Sequence, residues 1–406
     1  MSKPVSELLS SALTAVVPAL DIAAERPRGA DPPQFCTSRG YTEFLGALSQ
    51  DELVRCESEG LGARLSVLKD VPPSLAELAR HLTEVTRLPG KVHQDKPTRI
   101  ENNRSVSRRK QSEIEALLDV VAPLAARAER VVDVGAGRGH FTRIAAEVFE
   151  REAVGIERVP ERVTTAERLA AGTRARFVLL DATRETLGLR EQDLAIGLHA
   201  CGALGDRLIL DAGDARCAVV LVSCCLQKIP PPARIPLSSI AARAGFVLSK
   251  ETLGLSNLVA RQQGVETSLA ETMDARRKRW SLVRLLEHRG LAVELGQEMH
   301  GLNQRCAHRP FAELVAQALS RRGLSPATPD ELTEHERQGA IEFERMRRFS
   351  LPRAMLARAL EVTVALDRAA SLEERGYDVR VVEICAADVT PRNLAIIASL
   401  TNPLPA

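Results

Sequence analysis

At 406 residues and 45% apolar composition the chain can bury a large core, and its length suggests two or three structural units. Its 55 basic and 53 acidic residues leave a net charge of +2, which excludes a global field drawing in nucleic acid or an anionic membrane, so any basic site must be local. The eight cysteines are scattered apart from the adjacent Cys224 and Cys225, which excludes a small secreted disulfide framework and points to a reducing cytoplasm.

Residues 1–104 read as an N-terminal helical region joined by Pro-rich turns. The stretch Leu8 to Ala24 reads as an amphipathic helix rather than a signal peptide, since only Lys3 precedes it and Glu7 stands at its edge. No apolar run approaches the roughly 20 residues needed to cross a bilayer, so neither a membrane span nor a membrane partner is expected. In "DVPPSLAEL" the prolines stop one element, and Ser74 with Glu77 reads as a capping box opening the next. The basic connector "KVHQDKPTRIENNRSVSRRKQ" then marks a domain boundary.

Residues 105–230 alternate helix and strand. Ser112 and Glu115 form an S-x-x-E start, and Ile114, Leu117, Leu118 and Val121 make one helical face. Five β-rich runs follow, "RVVDVGAG", "EAVGIER", "RFVLLDA", "DLAIGLHACG" and "AVVLVSCC", spaced by helix-length segments as parallel βαβ units require. Residues 231–375 read as a mainly helical insertion in which only "GFVLSKETLG" looks extended. Its last helix places Met355, Ala359, Val362, Leu366 and Ala369 on one face and stops at Gly376. Residues 376–406 hold "DVRVVEICA" and "NLAIIASL", whose short connection demands an antiparallel hairpin.

A ligand site is legible at the carboxyl ends of these strands. "VVDVGAGRG" is a buried strand turning at Gly135, Gly137 and Gly139 into a helix, and glycines serve where backbone takes positive φ or approaches a ligand. Asp133, two residues before the first glycine, is poorly placed for a phosphate and well placed for a zwitterion. Glu157 ends the second strand, where it can accept from both ribose hydroxyls, and Asp181 ends the third, close to where an adenine would lie. The dehydrogenase spacing G-x-G-x-x-G is not met.

This pattern resembles the class I S-adenosylmethionine (SAM) methyltransferases. The resemblance implies a Rossmann-like α/β fold whose parallel sheet ends in an antiparallel hairpin. It also implies SAM as cofactor, with Gly135, Gly137 and Gly139 under its amino-acid moiety, Asp133 nearby, Glu157 on the ribose and Asp181 toward the adenine.

"DLAIGLHACG" is then the fourth strand, with His199 and Cys201 at its end facing the transferred methyl. The polar-Pro-Pro-aromatic motif of amine methyltransferases does not occur here. The fifth strand ends in Cys224 and Cys225, of which alternation turns only one toward His199. Several roles fit this set: His199 as a general base, Cys201 as a covalent nucleophile, a soft-metal site, or a packed strand end that shapes the substrate pocket. His199 and Cys201 are taken as the catalytic pair, Cys224 and Cys225 as substrate-contacting or structural, and no metal is assigned.

"LHACGALGD", "VSCCLQKI" and the upstream "SRRKQSEIE" resemble the branch containing the eukaryotic methyltransferase-like twenty-five proteins. They are also similar to the methyltransferase domain of the glutathione S-transferase C-terminal-domain-containing protein, and more remotely to a tRNA 2′-O-methyltransferase family. Where that branch often has K-K-x-H-E, this chain has Arg109-Lys110-Gln111-Ser112-Glu113, without the histidine.

Arg109 and Lys110 precede the expected helix start, where positive charge is unfavourable unless an RNA phosphate, the SAM carboxylate or solvent compensates it. With aromatics at 3% a single-stranded base-stacking platform is not expected. The arginine clusters "RRKRW", "SRRGL" and "RMRRF" could contact phosphates, yet acidic residues interleave them as on solvated helix faces, and structured RNA held by its backbone is the methyl acceptor slightly favoured. Protein and small-molecule acceptors, and a non-catalytic SAM-fold scaffold, are the alternatives.

Overall fold

The computed structural model describes residues 3–88, 108–258, 269–294, 296–385, 390 and 392–400. The chain divides into two compact units: Met1–Ala24, Leu78–Gln263 and Met355–Ala406 form the first, Glu25–Glu77 and Gly264–Ala354 the second. These cuts differ from the expected boundaries, because the N-terminal region and the insertion are each shared between the units. Of the connector expected at the boundary, residues 91–107 lie outside the described residues and 108–111 form the start of a helix.

The first unit is built on a seven-stranded sheet of β1 (Arg130–Val134), β2 (Glu152–Glu157), β3 (Ala175–Leu179), β4 (Asp193–Leu198), β5 (Ala218–Val222), β6 (Asp378–Glu383) and β7 (Leu394–Ser399), in the order β3-β2-β1-β4-β5-β7-β6. Strands β1 to β5 are parallel, and β7 runs antiparallel to both β5 and β6. One register row runs Asp133, Ile196, Val220, Ile397 across β1, β4, β5 and β7. The strand order reverses between β1 and β4, which opens the crevice where ligands of doubly wound sheets bind.

The helices of this unit are α1 (Val5–Val16), α2 (Arg108–Ala125), α3 (His140–Val148), α4 (Pro160–Leu169) and α5 (Ala203–Ala215). Ile114, Leu117 and Val121 of α2 and Phe141 and Ala145 of α3 bury one sheet face with Val131, Leu194, Ile196 and Val220. The helical face read in the sequence is therefore correct. Its start is not: α2 begins at Arg108, so Ser112 lies within the helix rather than capping it. Likewise the helix read from Ser74 begins at Pro73, because proline's fixed φ suits the first helical position.

Val5–Ala24 is long and apolar enough to cross a membrane by length and composition, which corrects the expectation that no run approaches that length. Leu9, Val16 and Ile22 are fully buried within the first unit. The amides of Val5 and Ser6 donate to the two carboxylate oxygens of Glu373 at 2.9 and 2.8 Å.

The second unit is helical. Trp280 and Leu286 of α6 (Leu269–His288) pack with Phe311, Leu314 and Val315. The long helix α7 (Pro329–Glu373) contributes to both units, its residues up to Ala354 belonging to the second. The helix expected to start near Met355 is the last part of α7, and it is buried all round rather than on one face: Leu360, Val362, Val364 and Leu366 are all at most 1% exposed. A helix apolar on every side is one enclosed by other elements.

Within that enclosed stretch, Arg368 donates to Asp206 Oδ1 at 2.8 Å, Ser223 Oγ at 2.6 Å and the Gly202 carbonyl at 2.8 Å. Asp367 accepts from Ser238 Oγ at 2.8 Å and pairs with Arg234, which also holds Asp206. This buried network fastens the segments that follow β4 and β5 to α7.

Candidate active site

The turn after β1 places Gly135, Gly137 and Gly139 at φ of +84°, +61° and +72°, left-handed values that other residues rarely adopt. Their roles separate. A Cβ on Gly139 would strike the Phe177 ring, so this glycine allows α3 and α4 to approach the sheet, whereas a Cβ on Gly137 would meet nothing within 4 Å. The open side of the loop is therefore at Gly137.

Asp133 is buried and accepts from Thr142 Oγ1 at 2.6 Å; burial pushes its carboxyl up to about 6, against the pull of Thr142 and of Lys110 on α2. Glu157 is held on three sides: its Oε2 accepts from the Gly137 amide at 3.0 Å and its Oε1 from the Arg158 and Val159 amides at 3.0 Å. One carboxylate thus braces both the turn before α4 and the glycine loop; Oε1 already accepts twice, and Oε2 keeps a lone pair for a hydroxyl. Asp181 lies just past β3, more exposed, with Oδ1 accepting from the Thr183 amide and hydroxyl of its own turn at 3.1 and 2.7 Å.

At the end of β4 the backbone of His199 takes a left-handed φ of +67°, uncommon for a non-glycine residue, while its amide donates to the Val222 carbonyl of β5 at 2.9 Å. The imidazole Nε2 lies 3.0 Å from Glu113 Oε2 on α2. Burial works to raise the Glu113 carboxyl, but His199, Lys110 and the Thr390 hydroxyl outweigh it and bring it down to about 2. Glu113 is therefore an ionised acceptor placed to receive a hydrogen bond from Nε2. The other ring nitrogen, Nδ1, is buried without a hydrogen-bond partner among the described residues. Lys110 Nζ completes the group 3.8 Å from Glu113. The Arg109 side chain lies outside the described residues.

Cys201 and Cys224 are joined as a disulfide whose sulfurs lie 3.1 and 3.5 Å from the His199 carbonyl oxygen. The pairing leaves no free thiol at Cys201 for covalent catalysis in this form. Cys225 does not turn away as strand alternation predicts, because β5 ends at Val222 and the chain beyond it is no longer extended in a ladder. Its sulfur lies within 4.8 Å of the other two.

Sequence reasoning missed Glu113 as the partner of His199. Its spacing of three residues from Lys110 on a helix was a legible sign that the two share a face, but nothing local links it to a histidine 86 residues away.

The family model described as a methyltransferase domain matches residues 109–231. Solved structures similar to the chain include a TehB-like SAM-dependent methyltransferase from Corynebacterium glutamicum, 15% identical over 27% of this chain and 60% of that one, with a TM-score of 0.23. A sugar N-methyltransferase from Streptoalloteichus is 22% identical over 28% of this chain and 47% of its own, with a TM-score of 0.24. Coclaurine N-methyltransferase bound to N-methylheliamine and S-adenosylhomocysteine (SAH) is 14% identical over 77% and 93%, with a TM-score of 0.28. The chain spans less than two thirds of the first two proteins.

The residues of the matched segment are compatible with SAM: a Cβ on Gly137 would meet nothing within 4 Å, Asp133 is buried, and Glu157 is fixed at the end of β2.

Proposed function

We propose that the chain is a SAM-dependent methyltransferase acting on an acceptor that loses a proton, with His199 as general base oriented by Glu113. The observation that carries this reading is the 3.0 Å contact between His199 Nε2 and the Glu113 carboxylate. Bound SAM supplies an activated methyl group on its sulfonium. The chain's own work is to hold both reactants in line and to take up the acceptor's proton at the His199 imidazole.

The motifs "LHACG" and "VSCC" support placing the chain in the methyltransferase-like twenty-five branch, and the absence of a secreted-type cysteine framework supports a cytoplasmic setting. Structured RNA as the acceptor loses part of its support. In the second unit Arg277 pairs with Asp274 and Glu336, Arg289 with Glu331, and Arg347 with Glu57, so these arginines neutralise carboxylates of their own chain. What remains is the dyad, which suits any O–H, S–H or N–H acceptor, an RNA ribose hydroxyl included.

The test is a tritiated-methyl screen of RNA, protein and small-molecule fractions with the full chain and with His199→Ala. Label transfer by the parent and its loss in the variant, with SAH titration unchanged, supports the base. Equal transfer by both removes it.

A further inference from the structure

We propose that Cys201, Cys224 and Cys225 form a binding site for one zinc ion in the reduced chain. Cys201 follows β4, and Cys224 and Cys225 follow the adjacent β5, so the two parallel strands deliver three sulfurs to one point within 4.8 Å of one another. Thiolates at about 2.3 Å from a tetrahedral zinc lie roughly 3.8 Å apart. The set therefore needs only small side-chain adjustments to close around an ion. Three soft ligands select zinc over magnesium or calcium, and three protein ligands leave the fourth position to a non-protein donor.

The charge balance supports the same assignment. One divalent ion with three thiolates carries a net charge of minus one, and Arg392 Nη1 lies 3.0 Å from Cys225 Sγ, where it can donate to a coordinated thiolate and neutralise the cluster. The guanidinium is held on its other side by Asn257 Oδ1 at 3.4 Å. The same segment reaches the dyad: the Arg392 amide donates to Thr390 Oγ1 at 3.3 Å, and the Thr390 hydroxyl bonds Glu113. Zinc at the three sulfurs would thus brace the segment that helps to position Glu113. The His199 imidazole is turned to Glu113 and is not a ligand.

The disulfide between Cys201 and Cys224 is the alternative state of the same set. Reduction takes two electrons from an external phosphine, which leaves as its oxide, and two protons from water; zinc then displaces the three thiol protons. Metal and disulfide exclude each other.

The full chain is purified in a phosphine reductant without chelator, titrated with Zn(II), and analysed for bound metal by mass spectrometry and for thiols with a disulfide dye. We expect one zinc per chain, release of that zinc on oxidation with diamide, and a thiolate-to-metal charge-transfer band when Co(II) replaces it. Cys225→Ser, which leaves Cys201 and Cys224 intact, should reduce bound zinc below about a tenth of an equivalent. Arg392→Met, which keeps all three thiols, should weaken affinity roughly 10- to 100-fold. SAH titration and thermal melting of both variants show that they are folded. Less than a tenth of an equivalent in the parent with its thiols free would overturn the proposal, as would full zinc retention by Cys225→Ser.

Discussion

Glu113 on α2 and His199 at the end of β4 meet at 3.0 Å across 86 residues of sequence. The two are brought together because α2 lies against the face of the sheet that holds β1 and β4. The contact makes Glu113 a fixed anion that orients the imidazole.

If this orientation matters, removing the anion and removing the base should differ in degree. His199→Ala should lower turnover by about 10²- to 10⁴-fold, the usual range for a general base. Glu113→Gln retains the shape but offers a neutral partner, so the loss should be smaller, with SAH affinity unchanged in both. Single-turnover rates measured beside calorimetric SAH titration check this, and an undiminished rate in Glu113→Gln would remove the orienting role.

Asp133 makes stability depend on pH in a stated direction. Its folded-state carboxyl stands at about 6 against an ordinary 3.8, chiefly through burial, so the fold favours its protonated form. The stability this adds is fully present below pH 3.8 and is lost as pH rises through 6, amounting to about 3 kcal/mol for a shift of this size. Asp133→Asn cannot ionise and should become more stable relative to the parent between pH 4 and 7, while binding SAM more weakly at neutral pH. Denaturant midpoints at both pH values test the first part, and a constant difference would contradict it.

The glycine loop predicts two separable defects. Gly137→Arg should abolish SAH binding and leave the protein folded at the cost of backbone strain from its φ of +61°, because its side chain enters open space rather than a neighbour. Gly139→Ala should instead lower the melting temperature, since its Cβ meets the Phe177 ring at a left-handed φ of +72°. We expect a loss of about 1–3 kcal/mol for Gly139→Ala from backbone strain alone. SAH affinity retained in Gly137→Arg would mean that the ligand lies elsewhere.

Arg368 is fully buried and donates to Asp206, Ser223 and the Gly202 carbonyl. Arg368→Met should cost about 3–5 kcal/mol, because a buried carboxylate loses one of its two guanidinium partners. Urea unfolding of the variant measures this directly. A cost under 1 kcal/mol would show that Arg234 alone satisfies Asp206.

Much of this molecule can be read along the chain. The five parallel strands, the glycine turn, Asp133, Glu157 and the closing hairpin all follow from short-range rules: apolar runs make buried strands, glycines mark positive φ, and a short connection forces antiparallel pairing. The α2 face of Ile114, Leu117 and Val121 follows from a period of 3.6. Where local rules were applied past the end of an element they failed, as at Cys225, where alternation no longer holds once β5 stops at Val222.

Tertiary structure alone decided the rest. Glu113 reaches His199, three sulfurs meet, and Arg368 spans Gly202 and Ser223 only because the order β3-β2-β1-β4-β5-β7-β6 places particular strand ends side by side. The second unit likewise gathers Glu25–Glu77 and Gly264–Ala354 from opposite ends of the chain. Such pairings carry no periodicity, since the free energy that selects them comes from burying surfaces and charges across long loops, and a sequence window contains only one side of each contact.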